Sequence, residues 1–192
     1  MARRPAAIAI GVAIAAFVIG WLMFVSTPRW FSRQPTKQVA AAPAPAPPAP
    51  PGRKIKARLF YVSDDGMRLT GIERDIVYGE GPLEQAREII SAQIAPVTEP
   101  LVSAVPPGTT LRALFMTEGG DAYVDLGREI TASHTGGTLD EILTIYTIVN
   151  ALTANLPAIT SVQLLVEGKE IDTLSGHVDL RRPLLKNLAW VQ

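Results

Sequence analysis

A chain of 192 residues has room for one domain of about 100–150 residues with accessory segments. It contains no cysteine, which excludes disulfides, thiol catalysis, cysteine zinc sites and lipidation of an N-terminal cysteine. The formal charge of zero conceals an asymmetry: residues 1–52 carry five basic residues and no acid, whereas residues 53–192 carry 13 Lys/Arg and all 18 Asp/Glu, a net −5 without the basic footprint that nucleic acid requires.

After a short tail, residues 1–5, the run from Ala6 to Val25 is uncharged and apolar. Twenty helical residues span roughly 30 Å, the thickness of a bilayer core, so residues 6–25 are expected to be a single-pass transmembrane helix. The run exceeds the apolar region of a cleaved signal and ends among Trp21, Phe24, Trp30 and Phe31, which suit a membrane interface better than a cleavage site. Arg3 and Arg4 on one side nearly balance Arg29, Arg33 and Lys37 on the other, so charge alone does not set the orientation. Residues 26–52 follow as a linker. Its Pro/Ala tract, residues 40–52, favours polyproline II and reads as a semi-rigid spacer of about 40 Å.

Residues 53–192 are expected to be the folded domain. Lys54 to Ser63 alternates and is rich in β-formers, Asp64-Asp65-Gly66 is turn chemistry, and Leu69 to Tyr78 reads as the hairpin partner. Gly81-Pro82 opens a helix with an apolar stripe of Leu83, Ala86, Ile90 and Ile94, and Ala95-Pro96 stops it. Residues 95–110 hold four prolines and no periodicity, and read either as a binding loop or as a rigid crossover with Leu101, Val102 and Val105 packed beneath it. Leu111 to Asp125 forms the clearest hairpin, around Glu118-Gly119-Gly120.

The stretch from Thr135 to Thr153 is the helix around which the domain is expected to form. Thr138 and Glu141 have the spacing of a capping box, and Leu139, Ile142, Leu143, Tyr146, Ile148, Val149 and Leu152 make a wide apolar stripe. Asn155 and Pro157 end it. Ser161 to Val166 and Glu170 to Thr173 are the last two strands, on either side of a Glu167-Gly168-Lys169 turn. The ββαββαββ order predicts an α+β fold: a small mixed or antiparallel sheet with two helices packed on one face.

No chemical constellation emerges. His177 and Asp179 make a lone His-x-Asp pair, read as bonding to backbone in a tight C-terminal turn, with His177 structural and no metal site assigned. Ser175-Gly176-His177 is not a nucleophile elbow, the glycine pairs at 79–81 and 136–137 lack the Lys-Ser/Thr of a phosphate loop, and Ser63-Asp64-Asp65-Gly66 lacks the ligands of a calcium loop. The expectation is therefore a chain that is not an enzyme and carries no cofactor. A cell-wall hydrolase, with Asp125, Asp172 and Asp179 as its acids, and a glycan or small-ligand sensor using loop 95–110 are the alternatives. The hairpin suggests a surface: opposite Leu111, Ala113 and Phe115, the strands carry Arg112, Leu114, Met116 and Tyr123, residue types that protein contacts favour.

Five segments in order, RLFYVSDDG, LVSAVPPGTTL, AYVDLGREI, GGTLDEILTIYTIVNALT and VQLLVEGKEIDTLSGHVDLRRPL, together resemble the GerMN domain of sporulation and spore-germination proteins over about residues 57–185. The resemblance implies a fold similar to ring-building modules, with no catalytic residues to carry over. It implies export, placing the domain outside the cytoplasmic (inner) membrane. The partners expected there are an envelope protein or a peptidoglycan-associated complex. Relatives often carry two such domains in tandem, and some bear a lipid on cysteine where this chain has the run 6–25.

Overall fold

A computed structural model of the chain describes Trp21 and residues 52–192. Apart from Trp21 the expected membrane span lies outside the described residues, as does the linker up to residue 51. Among the described residues no helix is long and apolar enough to cross a membrane.

Ten elements follow in chain order: β1 (Lys54–Val62), β2 (Leu69–Val77), α1 (Pro82–Ile94), β3 (Leu111–Met116), β4 (Asp121–Leu126), α2 (Glu129–Ala132), α3 (Thr138–Asn155), β5 (Ser161–Val166), β6 (Lys169–Glu170) and β7 (Leu184–Leu185). The fold is α+β, but the strands form two sheets where the sequence suggested one. β1 and β2 pair only with each other as an antiparallel hairpin. The second sheet runs β3-β4-β5-β6, with β7 also on β5. It is mixed: β4 and β5 are parallel because α3 carries the chain back between them.

Local chemistry sets the element boundaries. Pro82 sits in the first turn of α1, where its missing N–H costs nothing, and Ala95 turns extended ahead of Pro96. At Gly79 the backbone passes so close to α1 that a Cβ would lie 2.4 Å from the Gln85 nitrogen, so only glycine fits. The β5–β6 hairpin turns on Glu167 and Gly168, both at positive φ as a primed turn demands. Of the expected α1 stripe, Ala86 and Ile90 are buried, but Leu83 is 37% exposed and Ile89 takes its place. The last strand is shorter than expected, two residues at Lys169–Glu170, and β7 lies beyond the segment read as a turn.

Helix α3 is covered nearly all round. Leu143, Ile145, Ile148, Val149, Ala151 and Leu152 are buried, and so are the polar Glu141, Thr144, Thr147 and Asn150. Both helices pack on both sheets: α1 touches β1, β2 and β3, while α3 touches β1, β5 and β7. Truncating Ile148, fully buried here, would cost about 2–5 kcal/mol.

Helix amides fasten the strands to this core. Gln93 accepts from the Phe60 N–H and donates to the Phe60 carbonyl, both at 2.8 Å. Asn155 does the same for Arg58, also at 2.8 Å. Together with the Val62 N–H, which donates to the Val102 carbonyl, these bonds seal the edge of β1 that faces away from β2. Gln85 clips Val77 and Gly79 in the same manner, and Asn150 clips Asn187. A side-chain amide offers the same donor and acceptor as a peptide unit, so each clip pairs backbone groups on a strand edge or in a loop that would otherwise be unpaired.

Candidate functional site

The β3–β4 hairpin presents the first candidate surface. Register pairs Phe115 with Tyr123, Leu114 with Val124 and Met116 with Ala122. Phe115 and Tyr123 therefore share the outer face, while Leu114 and Met116 turn toward the helices. Leu114 is fully buried and Met116 half-buried, which corrects the expectation that both belong to a contact surface with Tyr123. The Thr117 N–H donates to Asp121, and this turn sets which residues oppose each other. Alternation within each strand does not reveal it.

Of the four expected contact residues, Arg112 and Tyr123 lie on the outer face, joined by Phe115, which is 56% exposed. Arg112 gets there through a bulge: the register slips between Leu111 and Ala113, leaving Arg112 as the extra residue. Its guanidinium donates to Asp125 at 3.2 Å and to Glu167 at 3.1 Å. Asp125 also accepts from the Gly168 N–H at 2.7 Å. This network ties β3, β4 and the β5–β6 turn together. Leu185, 67% exposed, belongs to the same face through its pairing with Ser161 and that of Ser161 with Asp121.

The second candidate region is the start of α3. The capping box does not form: Gly137 is the cap residue and no side chain caps the helix. Glu141 is fully buried and turns instead to the C-terminal loop. Its carboxylate accepts from the N–H groups of Leu174 (2.9 Å), Ser175 (3.0 Å) and His177 (2.9 Å), with the His177 ring Nδ1–H donating from 3.1 Å. Burial by itself would push the Glu141 carboxyl up, but these backbone donors outweigh it and hold it below the ordinary carboxylate value. His177 thus bonds a buried carboxylate rather than backbone. Asp179 forks onto Arg181 at 2.8–2.9 Å, and that side-chain pairing, with the Arg181 N–H, holds its carboxyl well below the usual range.

The loop before α3 uses its histidine in the opposite sense. The Gly136 N–H donates to His134 Nδ1 at 2.9 Å, so the proton of the neutral ring is on Nε2. That nitrogen lies 3.3 Å from the Thr144 hydroxyl, which donates at 2.6 Å to the Ala104 carbonyl. The chain of bonds ties loop 133–137, α3 and loop 95–110 around a cleft of about 330 Å³. Val62, Val102, Val105 and Leu143 make its apolar walls; Ser103, Ser133, His134, Thr135, Asp140 and Thr144 are the polar lining. A shallower groove of about 470 Å³ runs along the other side of loop 95–110. This loop is a fixed strut between two hollows, with Val105 buried and Val102 exposed.

The acids of the hydrolase alternative do not converge on either hollow. Asp125 serves the Arg112 network, and Asp172 and Asp179 both act on Arg181. Among the described residues no group of three or more His, Asp or Glu side chains is placed to hold a metal ion.

With this geometry in view, comparison with known proteins is direct. The family model Germane, described as sporulation and spore germination, matches residues 58–172. The chain belongs to that family. Its match takes in most of the β1–β2 hairpin, the β3–β4 and β5–β6 hairpins, helices α1 to α3 and the buried Glu141. A search of curated proteins found no match. Among solved structures, the tandem GerMN domains of the sporulation protein GerM from Bacillus subtilis align with 15% identity over 69% of this chain, at a TM-score of 0.51. This chain spans 46% of that tandem. The first GerMN domain of the same protein aligns at 17% identity and TM-score 0.49, over 69% of this chain and 97% of that one. At such identities the likeness is one of fold.

Proposed function

We propose that residues 53–192 are a non-catalytic interaction module of the bacterial cell envelope, anchored by the apolar run 6–25 in the cytoplasmic membrane and held off it by the linker 26–52. The observation that carries this reading is Phe115. A large aromatic side chain, 56% exposed, is fixed on a strand beside Tyr123 and flanked by the Arg112 ion network. Exposed aromatics with arginine are what protein interfaces enrich. Membership in a sporulation and germination family adds support for an assembly role, as does the use of Asp125 and Asp179 in internal bonds.

The occupant proposed for this face is an envelope protein. A photo-reactive phenylalanine analogue at position 115 in the full chain should give one discrete protein adduct in cells, lost when Tyr123→Glu is added. Placed at exposed Lys56 on β1 it should give none. Equal adducts at both positions, or none at position 115, overturn the reading.

Topology is tested separately. Protease added to intact spheroplasts should remove residues 53–192; digestion only after lysis would place the domain inside.

A further inference from the structure

The cleft at the start of α3 is unused by the reading above and is built differently from the Phe115 face. Four segments form it: Val62 with Gly66 of the β1–β2 turn, loop 102–107, residues 133–135 and the first turns of α3. Its volume, about 330 Å³, is at the lower end of the range typical of small-ligand sites.

The hydrogen bonds of its walls narrow the ligand. His134 is saturated, Nδ1 by Gly136 and Nε2 by Thr144, and the Thr144 proton is committed to Ala104. The Ser103 hydroxyl is engaged with Val105, and Ser133 at the rim adds one neutral hydroxyl. Asp140 keeps capacity. One of its oxygens accepts from the Thr135 hydroxyl at 2.9 Å, its other oxygen has no partner among the described residues, and it forms no ion pair there. Asp140 is also the sole charged residue of the lining. The walls around it are aliphatic, from Val62, Val102, Val105 and Leu143, with Pro106 and Pro107, and no Phe, Tyr or Trp side chain lines it for a sugar or base to stack on.

We infer that this cleft binds an aliphatic primary ammonium presented by an extended peptide, as in a lysine-type side chain: the methylene stem lies along the valine and leucine walls and the ammonium meets Asp140. A lysine-type stem suits such walls because its methylenes bury well while its charged end stays near water. A bare helix N-terminus would favour an anion, but the Asp140 carboxylate at this one reverses the local sign.

The test uses the full chain in detergent micelles with labelled Val and Leu methyl groups, titrated with three peptides, acetyl-Ala-X-Ala-amide, where X is Lys, norleucine or Glu. The Lys peptide should shift the methyls of Val62, Val102, Val105 and Leu143, and bind about fivefold more tightly than the norleucine peptide, the scale of one partly exposed ion pair. The Glu peptide should not bind. Asp140→Asn keeps an acceptor for Thr135 and should remove the preference for Lys. Val102→Lys leaves the backbone bridge to Val62 in place, puts an ammonium in the cleft and should abolish binding; the methyl spectrum of each variant reports its fold. Equal binding of the Lys and norleucine peptides, preference for the Glu peptide, or no shift with any of them overturns the inference. The Phe115 crosslink reads a different surface, so failure of one leaves the other standing.

Discussion

Two loops meet the first turns of α3, and the contrast between them says most about how this domain works. Both carry a histidine within two residues of a glycine. Loop 173–178 is closed: three backbone N–H groups and the His177 ring converge on the fully buried Glu141. Loop 133–137 is open: His134 accepts from its own loop and passes the bond chain to Thr144 and Ala104, leaving a cleft beside Asp140. The difference lies in the two acids that begin the helix. Glu141 faces inward and must be satisfied in full, because a buried carboxylate lacking partners is very costly. Asp140 faces outward, where water tolerates an unfilled acceptor. One acid holds the C-terminal third of the domain in place; the other remains available.

That contrast can be broken most forcefully at Glu141. Glu141→Ala leaves several buried N–H groups without an acceptor and should cost about 3–5 kcal/mol in urea unfolding. Asp140→Asn, one residue away, should change stability by less than about 0.5 kcal/mol. Comparable losses in the two variants would end the distinction between a closed and an open loop.

Acid probes the same carboxylate without mutation. Because the folded Glu141 carboxyl is held below its ordinary value of 4.5, the unfolded chain binds the proton more readily. Its stabilising contribution is complete well above pH 4.5 and is lost as pH falls through the lower folded value. The urea midpoint should therefore decline more steeply below pH 4.5 in the wild type than in Glu141→Gln. Parallel declines would mean that other acids govern the transition.

The histidines give smaller effects than Glu141. His177→Ala removes one bond to a carboxylate that keeps its backbone donors, for a loss of about 1 kcal/mol and no change in metal content. His134→Ala should cost about the same or less, but it alone should broaden the methyl signals of Val102 and Leu143 by slackening the cleft walls. Broadening in His177→Ala as well would show that the two loops are coupled.

Much of the architecture was legible without coordinates, for a physical reason. Pro82, the Ala95-Pro96 stop, the turn at Glu118-Gly119-Gly120 and the Asn155 end of α3 act through neighbouring backbone, so the sequence places them to within a residue or two. The five segments that resemble the GerMN domain likewise follow one another along the chain, and the family match covers residues 58–172, all but the end of the last segment. The candidate surface was only half legible. Arg112 and Tyr123 do share an outer face, but the bulge and the hairpin register set them beside Phe115, read as lying on the opposite face, and turn Leu114 and Met116 away.

What tertiary structure alone decided depends on partners far apart in sequence. Glu141 has the spacing of a capping box, yet it bonds residues 33 to 36 positions away because packing buries its side chain against the C-terminal loop. Asn155 reads as a helix stop and is also the clip for Arg58, 97 residues earlier. Gln93 reads as an ordinary helix residue, and its burial appears only once β1 lies across α1. The separation of the strands into two sheets follows from the same cause: helix amides occupy the edge of β1, so no strand of the second sheet can pair there. Local chemistry fixes where each element begins and ends, while the destination of each buried polar group is set by whatever the completed fold places opposite it.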